Sequence, residues 1–150
     1  MQYNKACGVS SLGFEKISGR FDVTLNPVSG YVQGLHGNQL HRTTLDKTFF
    51  GELQATSQGE MLSVITAVKG SAGYVAIEQV SGKLCGHEGT FVLQHSGTMN
   101  RGDDSLNLHV VPDSGTGQLA GLQGTMAIRT EQGEHFYDFH FSLDGPVQQA

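Results

Sequence analysis

The chain has 150 residues, the size of one domain, and a domain of this size buries roughly 70% of its unfolded surface without needing staples. Nine basic residues against fourteen acidic ones give a net charge of −5. Without basic runs, that balance argues against nucleic acid and anionic membrane as partners. An apolar content of 37%, with 21 glycines and three prolines, suits a single core in a chain that turns often, and excludes collagen and Pro-rich disorder.

Residues 1–12 read as a tail, 13–145 as one β-barrel domain and 146–150 as a second tail. The first tail lacks the apolar centre of a signal peptide, and no apolar run approaches the ~20 residues needed to cross a bilayer. Two cysteines, Cys7 in the tail and Cys85, do not amount to a disulfide framework, so a reducing cytoplasm is the expected location. Alternation of apolar and polar residues runs almost throughout, and no helical periodicity competes with it. In chain order it predicts eight strands: Phe14–Leu25, Thr43–Ala55, Glu60–Val68, Gly73–Cys85, Thr90–Met99, Leu106–Val111, Leu119–Arg129 and His135–Leu143. Short Gly-rich turns separate most of them, among them Ser57-Gln-Gly59, Gly86-His-Glu-Gly89 and Glu131-Gln-Gly133. Asn26–Arg42 is the exception, a long connection expected to form a flap or bulge.

Register tests three hairpins, because a correct pairing gathers like residues on one face. With His87-Glu88 as a two-residue turn, Val80 faces His95, Gly82 faces Leu93 and Leu84 faces Phe91. With Gln58-Gly59 as the turn, Phe49, Leu53 and Ala55 share a face with Leu62, Val64 and Val68. With Gln132-Gly133, Leu122, Met126 and Ile128 share a face with Tyr137, Phe139 and Phe141. Eight sequential antiparallel strands with one apolar face close into an all-β meander barrel, which removes exposed edges; a sandwich is the alternative. Phe50, Met61, Ile65, Val75, Ile77 and Val92 fall on the opposite face, and from them a homodimer is expected.

The segments Leu45-Asp-Lys47, Gly59-Glu-Met-Leu62, Gly70-Ser-Ala-Gly-Tyr-Val-Ala-Ile-Glu78, Phe91-Val-Leu-Gln-His-Ser-Gly-Thr-Met99 and Val110-Val-Pro-Asp-Ser-Gly-Thr-Gly117 resemble the bacterial family DUF3224, over about residues 14 to 143. That family is similar in fold to the allene oxide cyclase barrel, which implies an eight-stranded calycin-like meander. It implies no particular activity.

The residues that could carry chemistry are few. Glu78 and His95 fall on one interior face of neighbouring strands, one step off direct opposition, where diagonal Cβ atoms lie ~7–8 Å apart. A carboxylate inside a barrel must find a partner or a proton. With Tyr74 and Tyr137 nearby, the pair reads either as an acid/base or ligand-orienting group, or as a polar network that fixes register. Lys47 shares the apolar face of its strand and is expected to snorkel outward. Val110-Val-Pro-Asp-Ser-Gly-Thr116 has the look of an aspartic-protease motif, but a second such aspartate is missing and Pro-Asp-Ser-Gly makes a good turn. Asp113 could still line a rim. His36 and His41 lack ligand spacing, and Asp138 with His140 falls on the outer face beside Arg129, so no metal site and no cofactor is expected. Three functions remain: a binder of a small apolar molecule contacted by Tyr74, Glu78, His95, Tyr137 and Asp113; an isomerase- or cyclase-type enzyme using Glu78 or His95 as acid or base; and a structural or partner-binding barrel with a filled core.

Overall fold

A computed structural model describes Cys7 and residues 13–143. Apart from Cys7, the proposed tails lie outside these residues, as do residues 144 and 145 of the proposed barrel domain. Eight antiparallel strands follow one another around a closed barrel: β1 (Glu15–Val28), β2 (Gln39–Phe49), β3 (Leu53–Ile65), β4 (Ala72–Leu84), β5 (His87–Asn100), β6 (Asp103–Val110), β7 (Gln123–Glu131) and β8 (Glu134–Ser142). β1 pairs with β8 from Glu15↔Phe141 to Phe21↔His135 and with β2 beyond that, so one strand closes the ring and continues past it. The expected meander barrel is the observed fold.

Turn chemistry sets the registers. Gln132 (φ 52°) and Gly133 (φ 81°) form the two-residue β7–β8 turn, and the expected pairs, Met126↔Phe139 and Ile128↔Tyr137, are the observed ones. At β4–β5 the turn is Cys85 (φ 50°) and Gly86 (φ 83°), not His87-Glu88. Successive left-handed residues match the right-handed strand twist, and glycine best fills the second place. The slide this causes is even, so every side chain keeps its expected face, but Val80 now opposes Phe91 and Ala76 opposes His95.

Between β2 and β3 the turn is not at Gln58-Gly59. The chain reverses at Phe50-Gly51-Glu52, with Gly51 at φ 108°, and runs straight through Gly59 inside β3. Phe49 opposes Ala55 and Leu45 opposes Gly59. Hence Met61, expected outside, lies on the inner side of β3, while Leu62, expected inside, is exposed. The long connection is also shorter than expected: β1 and β2 extend into it and leave only 29–38. Leu119 does not begin a strand; it closes the 3-10 turn Gly117–Leu119 before β7 starts at Gln123.

The two ends of the barrel differ. At one, the segment 111–122 folds back over β5, held by Thr116 N–H donating to the Thr90 carbonyl (2.8 Å) and Glu88 N–H donating to Gln118 Oε1 (2.8 Å). It seats Leu119 and Leu122 in a core with Phe49, Leu53, Leu84, Phe91 and Phe141. Cys7 is joined to Cys85 by a disulfide at this end, so the residue expected in a free tail is tied to the β4–β5 turn. The other end, ringed by the loops after β1, β3, β5 and β7, is left open by the described residues. Closure is uneven around the ring: β6 meets β7 at one ladder pair, His109↔Thr125, beside a cleft of about 270 Å³.

Candidate functional site

Between the apolar core and the open end lies a polar layer. Glu78 on β4 is fully buried, and Lys47, Ser57 and His95 surround it at under a tenth exposed. Glu78 Oε1 accepts from Lys47 Nζ (3.1 Å) and His95 Nε2 (2.7 Å), and Oε2 accepts from Ser57 Oγ (2.6 Å). Beyond it, His95 Nδ1 lies 3.1 Å from the Tyr74 hydroxyl.

Small residues make this layer possible. Lys47 and Glu78 stand on β2 and β4, with β3 between them, and β3 offers Ser57 and Gly59 there. A Cβ on Gly59 would fall against the Ile77 carbonyl and 2.9 Å from Glu78 Cα, so a larger residue would close the space that Glu78 occupies. Gly97 serves Tyr74 in the same way. It opposes Tyr74 in the ladder, and a Cβ there would stand 2.5 Å from the ring's Cε1. The bare backbone lets the ring lean across β5 towards His95.

Charge states follow from the partners. Desolvation pushes the Glu78 carboxyl up, but the hydrogen bond from His95, the charge of Lys47 and the hydrogen bond from Ser57 together hold it below the ordinary value, so it is ionised at neutral pH. Lys47 balances that charge. A second buried cation would stand uncompensated, so charge balance assigns the neutral form to His95. The carboxylate only accepts, which puts the imidazole proton on Nε2 and leaves Nδ1 to accept from Tyr74 O–H. Burial, and then the charge of Glu78, raise the Tyr74 phenol above its ordinary value, so it stays protonated.

Tyr74 also reaches the open end. There the inner faces of β3 to β7 enclose a cavity of about 490 Å³, with Met61, Ile65, Tyr74, Met99, Leu106 and Ile128 on its wall. Ile65, Met99 and Leu106 are 52%, 41% and 38% exposed although their strand positions face inward. Ile65, expected on an outer face, is therefore part of the mouth.

The structure brings together three of the residues singled out from sequence, Tyr74, Glu78 and His95. Tyr137 does not join them. It is fully buried against Phe49, its hydroxyl donates to the Phe50 carbonyl (2.8 Å), and burial pushes its pKa up to about 12. Asp113 is exposed in the turn after β6, at φ 64°, on the sealed side of the barrel. Lys47 does not snorkel outward: it is 7% exposed, with Nζ 4.8 Å from the Phe21 ring and bound to Glu78. Ser57 is absent from the sequence-based set because Ser57-Gln-Gly59 reads as a turn. The available signal is Lys47 itself, a lysine alternating with Leu45 and Phe49 on an apolar face that already holds an unmatched carboxylate. One group among the described residues, Cys7, Glu52 and Cys85, has metal-ligand spacing, but its sulfurs are joined to each other.

A model of the family DUF3224, described as a protein of unknown function, matches residues 17–141. The chain belongs to DUF3224. A DUF3224 protein of unknown function from Shewanella oneidensis MR-1, known from a crystal structure, is 62% identical, with a TM-score of 0.84 over 85% of this chain and 96% of that one. No curated protein matches. As a DUF3224 member, the chain has a relative of the same barrel fold but inherits no activity from it. No helix among the described residues is long and apolar enough to cross a membrane.

Proposed function

We propose that this barrel binds a small apolar molecule in its open mouth, with Tyr74 as the polar contact. The observation that carries this is the set of large apolar side chains, Ile65, Met99 and Leu106, that face inward yet stay substantially exposed among the described residues. A cavity of about 490 Å³ falls in the usual range for small-molecule sites, and a largely apolar wall with a few polar groups, here Tyr74 and Asp104 besides serines and threonines, is their usual composition. Nile red titration tests it. Leu106→Arg, at the mouth, should weaken dye binding at least tenfold, and Ile77→Arg, on the outer face, should leave it unchanged. The reverse pattern would place the dye on the outer surface and reject the proposal.

A second function has support from the Tyr74–His95–Glu78 chain. If the occupant is also turned over, as by an isomerase or cyclase, neither Glu78 nor His95 can touch it, because both are sealed beneath Tyr74. The proton would pass through Tyr74, with His95 Nδ1 receiving the phenol proton as Tyr74 takes one from the substrate. Tyr74→Phe should then abolish turnover while the dye still binds.

The expected homodimer keeps Val75 and Ile77 as its support and gains Leu62, the exposed ladder partner of Val75. Met61 and Ile65 no longer count towards it. Sedimentation well above 16.1 kDa would bear this out. For location, the cytoplasm is the sequence-based expectation, but the Cys7–Cys85 bridge favours an oxidising compartment. Thiol labelling of the chain in intact cells decides between them.

A further inference from the structure

We propose that the occupant of the mouth carries its polar end as a hydrogen-bond donor, an O–H or N–H group on an apolar body, and that the site discriminates against carboxylates. This rests on the mouth being a binding site, and it concerns only what that site prefers.

The polar layer dictates what Tyr74 can offer. Glu78 is an acceptor on both oxygens, so His95 must give its proton to Glu78 through Nε2. Nδ1 is then an acceptor, and it takes the single phenol proton of Tyr74. Tyr74 has no other proton to donate, but its oxygen retains lone pairs. Four residues deep in the barrel thus convert a tyrosine, usually able to donate or accept, into an acceptor towards the mouth. A ligand carboxylate would meet lone pairs there, whereas a hydroxyl or amine would meet a partner.

A second, independent observation points the same way. Of the described residues lining the mouth, Asp104 is the only one with a charged side chain, and no lysine or arginine is among them. It lies at the start of β6 on the inward side, opposite Met99 in the ladder. An anion entering the mouth would lose water without gaining a countercharge, and it would approach a carboxylate; a neutral donor or an ammonium group would not. The lining serines and threonines can adapt to either kind of ligand, so the discrimination belongs to Tyr74 and Asp104.

Three naphthalene probes of similar size test this: 2-naphthol, 2-methoxynaphthalene and 2-naphthoate. The chain contains no tryptophan, so probe fluorescence can be followed directly. At pH 7.5, 2-naphthol should bind about threefold to tenfold more tightly than its methyl ether, the contribution of one hydrogen bond, and 2-naphthoate should bind weakest. Tyr74→Phe should erase the preference for naphthol over the ether. Asp104→Asn, at an exposed rim position that the fold does not require, should narrow the penalty on naphthoate while leaving naphthol over ether intact. Equal binding of naphthol and ether to the wild-type chain, or tighter binding of naphthoate, overturns the inference while leaving the mouth as a binding site. Failure of all three probes, together with Nile red binding insensitive to Leu106→Arg, overturns the binding site as well.

Discussion

Replacing Glu78 by Gln keeps the size and most hydrogen bonds of the side chain and removes only its charge. The substituted amide can still accept from Lys47 and His95 through its oxygen, and its NH2 group can donate to Ser57. What changes is the position of Lys47, whose cation is then buried without a counter-ion. At the observed 3.1 Å and an effective dielectric of about 20, the attraction lost is about 5 kcal/mol. The amide dipole and the Phe21 ring, 4.8 Å from Nζ, recover part of it. The net cost is expected at about 3–4 kcal/mol, within the range for breaking a buried pair. For a domain of this length that is a fall in Tm of roughly 6–16 °C. The assay is urea unfolding of the wild-type chain, Lys47→Met, Glu78→Gln and the double variant. Because the double variant leaves no unpaired charge, it should be more stable than Glu78→Gln alone by about 2 kcal/mol or more. A cost below about 1 kcal/mol for Glu78→Gln, or a double variant less stable than either single one, would refute the claim that Lys47 and Glu78 form a buried, mutually dependent pair.

Three further outcomes are expected. The folded-state pKa of Glu78 lies below its unfolded value, so its contribution is present above the ordinary carboxylate pKa of about 4.3 and is lost as pH falls through the lower folded value; the stability gap between wild type and Glu78→Gln should therefore shrink on acidification below about pH 4, read from urea midpoints at each pH. Gly97→Ala places a methyl group 2.5 Å from the Tyr74 ring, so it should destabilise by about 1–3 kcal/mol and remove the preference for 2-naphthol, whereas a loss of stability with the preference intact would mean that Tyr74 does not set it. Tyr137→Phe loses a 2.8 Å hydrogen bond to the Phe50 carbonyl and should cost about 1–2 kcal/mol by thermal melting without altering any probe affinity; a change in affinity would return Tyr137 to the site.

The fold is legible in the sequence because alternation has a period of two. Every strand pair except the closing β1–β8 one joins neighbours in sequence, and an even slide in register leaves all faces intact, as at β4–β5, where Glu78, Val80, Leu84, Phe91, Leu93 and His95 are buried together although the turn lies two residues from its expected place. At β2–β3 a slide that is not even moves Met61 and Leu62 to opposite sides. The misleading signal is Gly59, which looks like punctuation in a sequence and is in fact a space left for a side chain on the next strand. For the same reason Lys47 and Glu78 escape pairing: they meet across an intervening strand, and no hairpin register can show a contact between strands that are not neighbours. The mouth is equally hidden, because inward-facing Ile65 and Leu106 differ from core residues only in how much chain lies above them.

The single ladder pair between β6 and β7 gives the ring a joint. Elsewhere neighbouring strands are laced over seven to thirteen residue pairs, but here only His109↔Thr125 spans the gap. Leu106, on one side of the joint, and Ile128, on the other, both belong to the mouth wall. Widening the entrance would thus require two strands to part along a line that few backbone hydrogen bonds hold, while the sealed end and its disulfide stay in place. Amide exchange should be fastest along these two facing stretches, and a guest bulkier than the resting cavity could enter from the side without the ladders on the rest of the ring coming apart.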